Sequence, residues 1–320
     1  MQRFFVAVIV LATVASALVA SSARAASDCT EIRDDTARLR CYDAAAAVDT
    51  EAVAEKPASV GGIWAERMRQ DAERDTFTLT ARKPNYLMYT AVSSPNEAPY
   101  EFTGDTGELD DNEIKFQLSF QTKLADDLFD RSADLWFSYT QVSFWQLFND
   151  DISAPFRETN YEPDVFVSFE TDYNLLGLTG RVLNFGVVHQ SNGRAEPLSR
   201  SWNRVYAELQ FTRGDFALSV KPWVRIEEDE EDDDNPDIDD YLGNYELRAY
   251  YNWRGHVFSA MARNVIDSDD RYNSEIAWSF PITRRLRGLV QWYNGYGENL
   301  IDYNHNNHRI GIGVLLTDWL

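Results

Sequence analysis

The stretch IKFQLSFQ, Ile114–Gln121, alternates without a break: Ile114, Phe116, Leu118 and Phe120 fall on one side of an extended chain, and Lys115, Gln117, Ser119 and Gln121 on the other. Period two marks a strand with one apolar and one polar face. The pattern recurs. Val205, Ala207, Leu209 and Phe211 oppose Arg204, Tyr206, Glu208 and Gln210, and Leu247, Ala249, Tyr251 and Trp253 oppose Glu246, Arg248, Tyr250 and Asn252. Ile310, Ile312, Val314 and Leu316 close the chain against Arg309, Gly311 and Gly313.

Twelve such segments are readable, near 86–92, 113–123, 134–145, 164–173, 181–191, 202–211, 216–226, 245–253, 256–262, 274–280, 286–295 and 308–319. They run to about ten residues, the length of a tilted strand that spans a bilayer. Short connections alternate with long polar ones such as 227–244 and 296–307. Aromatic residues are abundant (9 Trp, 16 Tyr, 18 Phe), and Tyr139, Phe144, Trp145, Trp202, Trp223, Trp253, Trp292 and Trp319 lie near strand ends, where interfacial girdles form. The expectation is an all-β protein, a twelve-stranded antiparallel transmembrane β-barrel with a short N-terminal periplasmic extension. A secreted β-sandwich is the competing arrangement, because it alternates too.

The N-terminus agrees with export. A basic start, an apolar run from Phe4 to Ala20 and the ending Ala23-Arg24-Ala25 read as a signal peptide over 1–25. Residues 26–80, rich in Ala, Asp, Glu and Arg, read as a periplasmic extension, and 81–320 as the barrel. Cys29 and Cys41 are expected to pair in an oxidising compartment. An even strand number with short periplasmic turns keeps both termini in the periplasm, so odd strands run outward. The net charge of −22 excludes nucleic acid as a partner. The run EEDEEDDD, Glu227–Asp234, reads as a solvated loop or as one that attracts calcium.

The fifth strand carries the chemistry. Val182, Asn184, Gly186, Val188 and Gln190 form one face; Leu183, Phe185, Val187, His189 and Ser191 form the other, which begins apolar and faces lipid. Asn203 shares the lipid-facing side of strand six. Ser191, His189 and Asn203 thus converge on the outer rim, either because strand ends near the headgroups turn polar or as nucleophile, base and orienting amide, with Gly193 two residues past the serine offering a free main-chain N–H. A hydrolytic centre facing the bilayer at headgroup depth meets phospholipid esters.

Several long motifs then fall in order: SAPFRETNYEPDVF (Ser153–Phe166), HQSNGRAEPLSRSWNR (His189–Arg204), VKPW (Val220–Trp223), DDNPDI (Asp233–Ile238), FPITRR (Phe280–Arg285) and GYGENLIDYN (Gly295–Asn304). Over about 110–320 the chain resembles the outer membrane phospholipase A family. The resemblance implies a calcium-dependent enzyme of the bacterial outer membrane that hydrolyses sn-1 and sn-2 acyl esters of phospholipids, and lysophospholipids, as a homodimer. It implies the roles just given for Ser191, His189, Asn203 and Gly193. Calcium would be held by the Arg194 carbonyl and Ser199, with Ser153 supplied across the dimer, and Asp234 matches a second position used by the monomer. Gln141, on the lipid side of strand three, would sit at the dimer interface. The chain departs from the family at Gln190, between His and Ser, at the terminal Leu320, and in the acidity of Glu227–Asp234.

A passive pore is the alternative from another class. Lys115, Gln117, Arg204, Glu208, Glu246 and Arg248 would line it, although their mixed signs favour a closed network.

Overall fold

The computed structural model describes residues 32–39 and 62–317, apart from 94, 104–107, 129–132, 230, 232, 267–270 and 284–285. The expected signal peptide, the Cys29–Cys41 pair, Trp319 and Leu320 lie outside the described residues.

Twelve antiparallel strands close on themselves, each beside its sequence neighbour and the last beside the first. They are β1 (Asn85–Val92), β2 (Asn112–Ala125), β3 (Ala133–Trp145), β4 (Phe156–Leu175), β5 (Leu178–Ser191), β6 (Ser201–Arg213), β7 (Phe216–Ile226), β8 (Tyr245–Trp253), β9 (His256–Arg263), β10 (Asn273–Pro281), β11 (Arg287–Gly295) and β12 (Asn307–Thr317). Closure leaves no edge with unpaired backbone groups, which is what permits a sheet to sit in hydrocarbon. The barrel seam pairs Leu87 with Val314 and Ala91 with Ile310.

Strand β4 begins at Phe156, eight residues before the periodicity suggested. Its first half carries Arg157, Glu158 and Pro163, residues that discourage a strand reading in water. In the barrel the charges turn inward and are buried. Pro163 faces Tyr139 of β3; on the other side the ladder pairs Tyr161 with Ser191 and Asp164 with Val188, passing over Glu162 and Pro163 without a change of register. A proline has no N–H to give to that ladder.

The distribution of polarity is inverted relative to a water-soluble sheet. Leu87, Leu118, Phe185, Val187, Val205, Ile276, Ile310 and Ile312 are exposed outward, while Lys115, Lys123, Arg204 and Glu208 are buried inside. The interior is knitted by charge. Arg309 pairs with Glu113 at 2.9 Å and Glu298 at 2.8 Å, Lys115 pairs with Glu298 at 2.9 Å, and Arg157 pairs with Asp302 at 2.7 Å. Such groups are tolerated away from water because every charge has a partner. The inner cavity is about 220 Å³, lined by residues including Lys115, Glu162 and Arg204, which leaves little room for an open channel.

Both ends are stopped. At the short-turn end helix α1 (Gly62–Ala72) packs Trp64, 2% exposed, against Ala217, Tyr250 and Val257, and the Trp64 indole donates to the Asp215 carbonyl at 2.9 Å. The segment after it enters the lumen, where Thr80 pairs with Gln121, Arg82 with Glu208 at 2.8 Å and Lys83 with Glu162 at 2.6 Å. Helix α1 and the segment after it thus belong to the same compact unit as the barrel. Gly62 sits at φ 83°, and a Cβ there would lie 1.9 Å from the Gly214 carbonyl oxygen, so the helix approaches the β6–β7 turn as only glycine permits. At the long-loop end helix α2 (Ile238–Leu242) buries Ile238 and Leu242 with Trp202, Tyr206, Trp223, Leu300 and Tyr303.

That last cluster corrects one expectation. Phe144, Trp202 and Trp223 are not girdle residues: they are buried, and Trp202 and Trp223 meet edge to face with ring centres 6.2 Å apart. Trp202 has the parity of Arg204 and Glu208, which points it into the lumen whatever its distance from the strand end. Trp253 and Trp292 do face outward, 52% and 42% exposed.

Candidate active site

Parity on β5 and β6 puts His189, Ser191 and Asn203 on the outer surface. Phe185 and Val187, which precede them on the same face of β5, are 50% and 51% exposed, whereas the intervening Val188 is 1% exposed. On β6, Val205 is 49% exposed and Trp202 fully buried, which leaves Asn203 looking out between them. The register sets His189 directly opposite Asn203 and Ser191 opposite Ser201.

Across that pair His189 Nδ1 and Asn203 Oδ1 are 2.8 Å apart. The other end of the amide is committed as well, since Asn203 Nδ2 donates to Glu228 Oε1 at 2.7 Å. An ionised carboxylate only accepts. The amide oxygen therefore faces the imidazole, Nδ1–H is the donor, and Nε2 is left with a free lone pair, the tautomer a general base needs. Among the described residues the Ser191 hydroxyl makes no hydrogen bond to this imidazole. It lies two residues along the same face, roughly 7 Å away along the backbone, a separation a side-chain rotation can close.

The loop after Ser191 is held by Asn192, which no side-chain pattern in the sequence marks. Its side chain is buried, donating to the Leu198 carbonyl at 2.8 Å and accepting from the N–H groups of Arg194 at 3.3 Å and Arg200 at 3.0 Å. Gly193 follows at φ 67°, exposed at the rim. Arg194 sends its guanidinium back to β4, donating to the Phe156 carbonyl at 3.2 Å and pairing with Glu158 at 3.4 Å. Ser199 is half-buried in the same loop, and Ser153 is exposed in the β3–β4 loop at φ 63°. Asp234 lies in the β7–β8 loop beside Asp233, which pairs with Arg225 at 2.7 Å.

All these loops join odd strands to even ones, so they share one end of the barrel. Carbonyl, hydroxyl and carboxylate oxygens are hard donors suited to calcium rather than to zinc. Among the described residues no three His, Cys, Asp or Glu side chains gather as a metal cage.

Gln141 is on the outer face of β3 in a short polar file. Tyr139 donates to its Oε1 at 3.2 Å, and its Nε2 donates to Ser143 Oγ at 3.1 Å. Thr159 on β4 extends the file by donating to Ser143 at 3.1 Å.

A closed, plugged barrel with an oriented imidazole on its lipid-facing rim belongs to the membrane-embedded hydrolases, not to the porins. The comparisons give the particular family. The phospholipase A1 profile matches residues 64–316, and the chain belongs to that family. It is 42% identical over 270 residues to the phospholipase A1 of Escherichia coli, covering 83% of this chain and 90% of that one. It is 40% identical over 283 residues to the Proteus vulgaris protein of the same name, covering 88% and 96%. Among solved structures, the calcium-bound dimer of the Salmonella typhi outer membrane phospholipase superposes with a TM-score of 0.75 at 41% identity, covering 82% of this chain and all of that one. The E. coli outer membrane phospholipase A gives 0.73 at 39% identity over the same shares. This chain is a phospholipase of the outer membrane, and the expectation of a barrel over a sandwich holds.

Proposed function

We propose that the chain hydrolyses the sn-1 and sn-2 acyl esters of membrane phospholipids and lysophospholipids as a calcium-dependent homodimer, with Ser191 as nucleophile, His189 as general base and Asn203 as orienting residue. The 2.8 Å contact between His189 and Asn203 on the lipid-facing rim carries this reading. Ser191 Oγ attacks the ester carbonyl while His189 Nε2 takes its proton. The imidazolium, held through Nδ1–H by Asn203, then returns the proton to the departing lysolipid oxygen. Water, activated by the same imidazole, releases the fatty acid in a second pass. The Gly193 N–H, in a loop pinned by Asn192, supports the oxyanion.

Arg194 through its carbonyl, Ser199, and Ser153 across the dimer would hold calcium, with Asp234 as the monomer's second position. When bound, calcium would supply positive charge to stabilise the oxyanion. Two relatives support this: the Salmonella typhi structure is a dimer with bound calcium, and an active-site mutant of the E. coli enzyme changes an asparagine to alanine. The polar file around Gln141 offers the dimer a set of hydrogen-bonding groups in a surface otherwise given to lipid.

The deciding experiment is phospholipid hydrolysis in mixed micelles with calcium. Ser191→Ala is expected to lose at least about a thousandfold in rate while still migrating as a heat-modifiable barrel. A folded Ser191→Ala variant with wild-type rate removes Ser191 from the reaction.

A further inference from the structure

The Asn203 amide can be inserted into the rim in two orientations that have almost the same shape, and only one of them serves a base. With Oδ1 toward His189, the imidazole keeps its proton on Nδ1 and Nε2 is free to accept. With the amide reversed, Nδ2 would donate to Nδ1, the proton would move to Nε2, and Ser191 would face a donor. A neutral orienter has no charge with which to enforce the choice, unlike the aspartate of the usual triad.

We infer that Glu228 is a positioning residue that acts through Asn203, locking the amide in the productive orientation and lending the triad the negative charge that asparagine lacks. Its Oε1 accepts from Asn203 Nδ2 at 2.7 Å. Ile226, the last residue of β7, is the register partner of Asn203. Glu228 follows two residues later, on the side of the chain that carries Val224 and Ile226, which are 73% and 41% exposed. The carboxylate thus arrives on the outer face of the barrel, where Asn203 sits, and it is half-buried there. A carboxylate tolerates only the donor end of an amide, so the reversed orientation would set two acceptors against each other. The chain His189–Asn203–Glu228 is then a relay in which each bond polarises the next as charge grows on the imidazole. This gives one member of the acidic run Glu227–Asp234 a task distinct from calcium recruitment.

The inference rests on the Ser191–His189–Asn203 reading. Its test uses the full mature protein folded in detergent with calcium, and a dithioester phosphatidylcholine in mixed micelles as the probe. Glu228→Ala is expected to lower kcat about tenfold, the scale of losing an outer partner of a positioned group, with KM changed less than about twofold and the calcium dependence intact. Glu228→Gln, which is neutral and can turn either end of its amide toward Asn203, is expected to recover only a small part of that loss, and Asp229→Asn to match the wild type. In an Asn203→Ala background, Glu228→Ala is expected to cost nothing more, because its route to the imidazole is already cut. An unchanged kcat in Glu228→Ala overturns the inference, and so does an equal fractional loss with and without Asn203. If Ser191→Ala is inactive and Glu228→Ala is not impaired, the triad stands and this inference alone falls; an active Ser191→Ala removes the triad itself.

Discussion

On β5, Asn184 and Val188 look into the barrel and are each 1% exposed, while His189 and Ser191 look out toward lipid. The two faces use polar side chains to opposite ends. Inside, Arg309, Glu113, Glu298 and Lys115 form a network in which each charge is held by at least one opposite charge at 2.8–2.9 Å. Outside, on the rim of β5 and β6, the hydrogen bonds run in one direction, from His189 through Asn203 to Glu228, with Ser191 two residues along the same face. In the network each charge is backed by a neighbour of opposite sign; in the rim series each step is a single hydrogen bond. A polar group on a membrane protein is thus better judged by the face it occupies than by its type.

The comparison can be strained from either side. The largest expected effect in the lumen is that of Arg309→Ala, which takes a partner from both Glu113 and Glu298. It should cost roughly 3 kcal/mol of folding stability, read as a lower urea midpoint in detergent or lipid, with unchanged kcat per folded molecule. A matching fall in kcat would mean that the two faces are not separate. Removing calcium probes the rim instead: chelation is expected to lower hydrolysis roughly tenfold or more and to reduce cross-linked dimer, leaving heat-modifiable migration as it was. The smallest effect belongs to Gln141→Ala, which should weaken the dimer by about 0.6 kcal/mol, close to threefold in the dissociation constant, as measured by sedimentation in detergent. No change in dimer affinity would leave the Gln141 file as intramolecular bonding alone.

How much of this was legible beforehand follows from what alternation can encode. Parity assigns a face, and it placed Lys115, Arg204 and Glu208 inside and Phe185 and Val187 outside, as found. Strand limits agree within a few residues wherever alternation is clean. They fail at Phe156–Pro163, where a strand is written in residues that suit only a charged lumen. Trp202 and Trp223 lie near strand ends, where girdle residues gather, yet their parity turns them inward, and on a barrel parity decides the face. For the rim, convergence of His189 and Asn203 could be argued from strand position, since adjacent antiparallel strands bring fixed pairs together. Glu228 could not: it sits past the end of β7 in a run of like residues, and nothing in such a run marks which carboxylate will fold back. Asn192 was illegible for a related reason, because its partners are main-chain groups of its own loop and leave no side-chain pattern.

The plugged lumen has a consequence for the cell envelope. With helix α1 closing one mouth and helix α2 with Leu300 and Tyr303 closing the other, the protein can work on lipid without becoming a leak for small solutes. The lipid-facing rim and the plugged lumen occupy opposite sides of the same twelve strands.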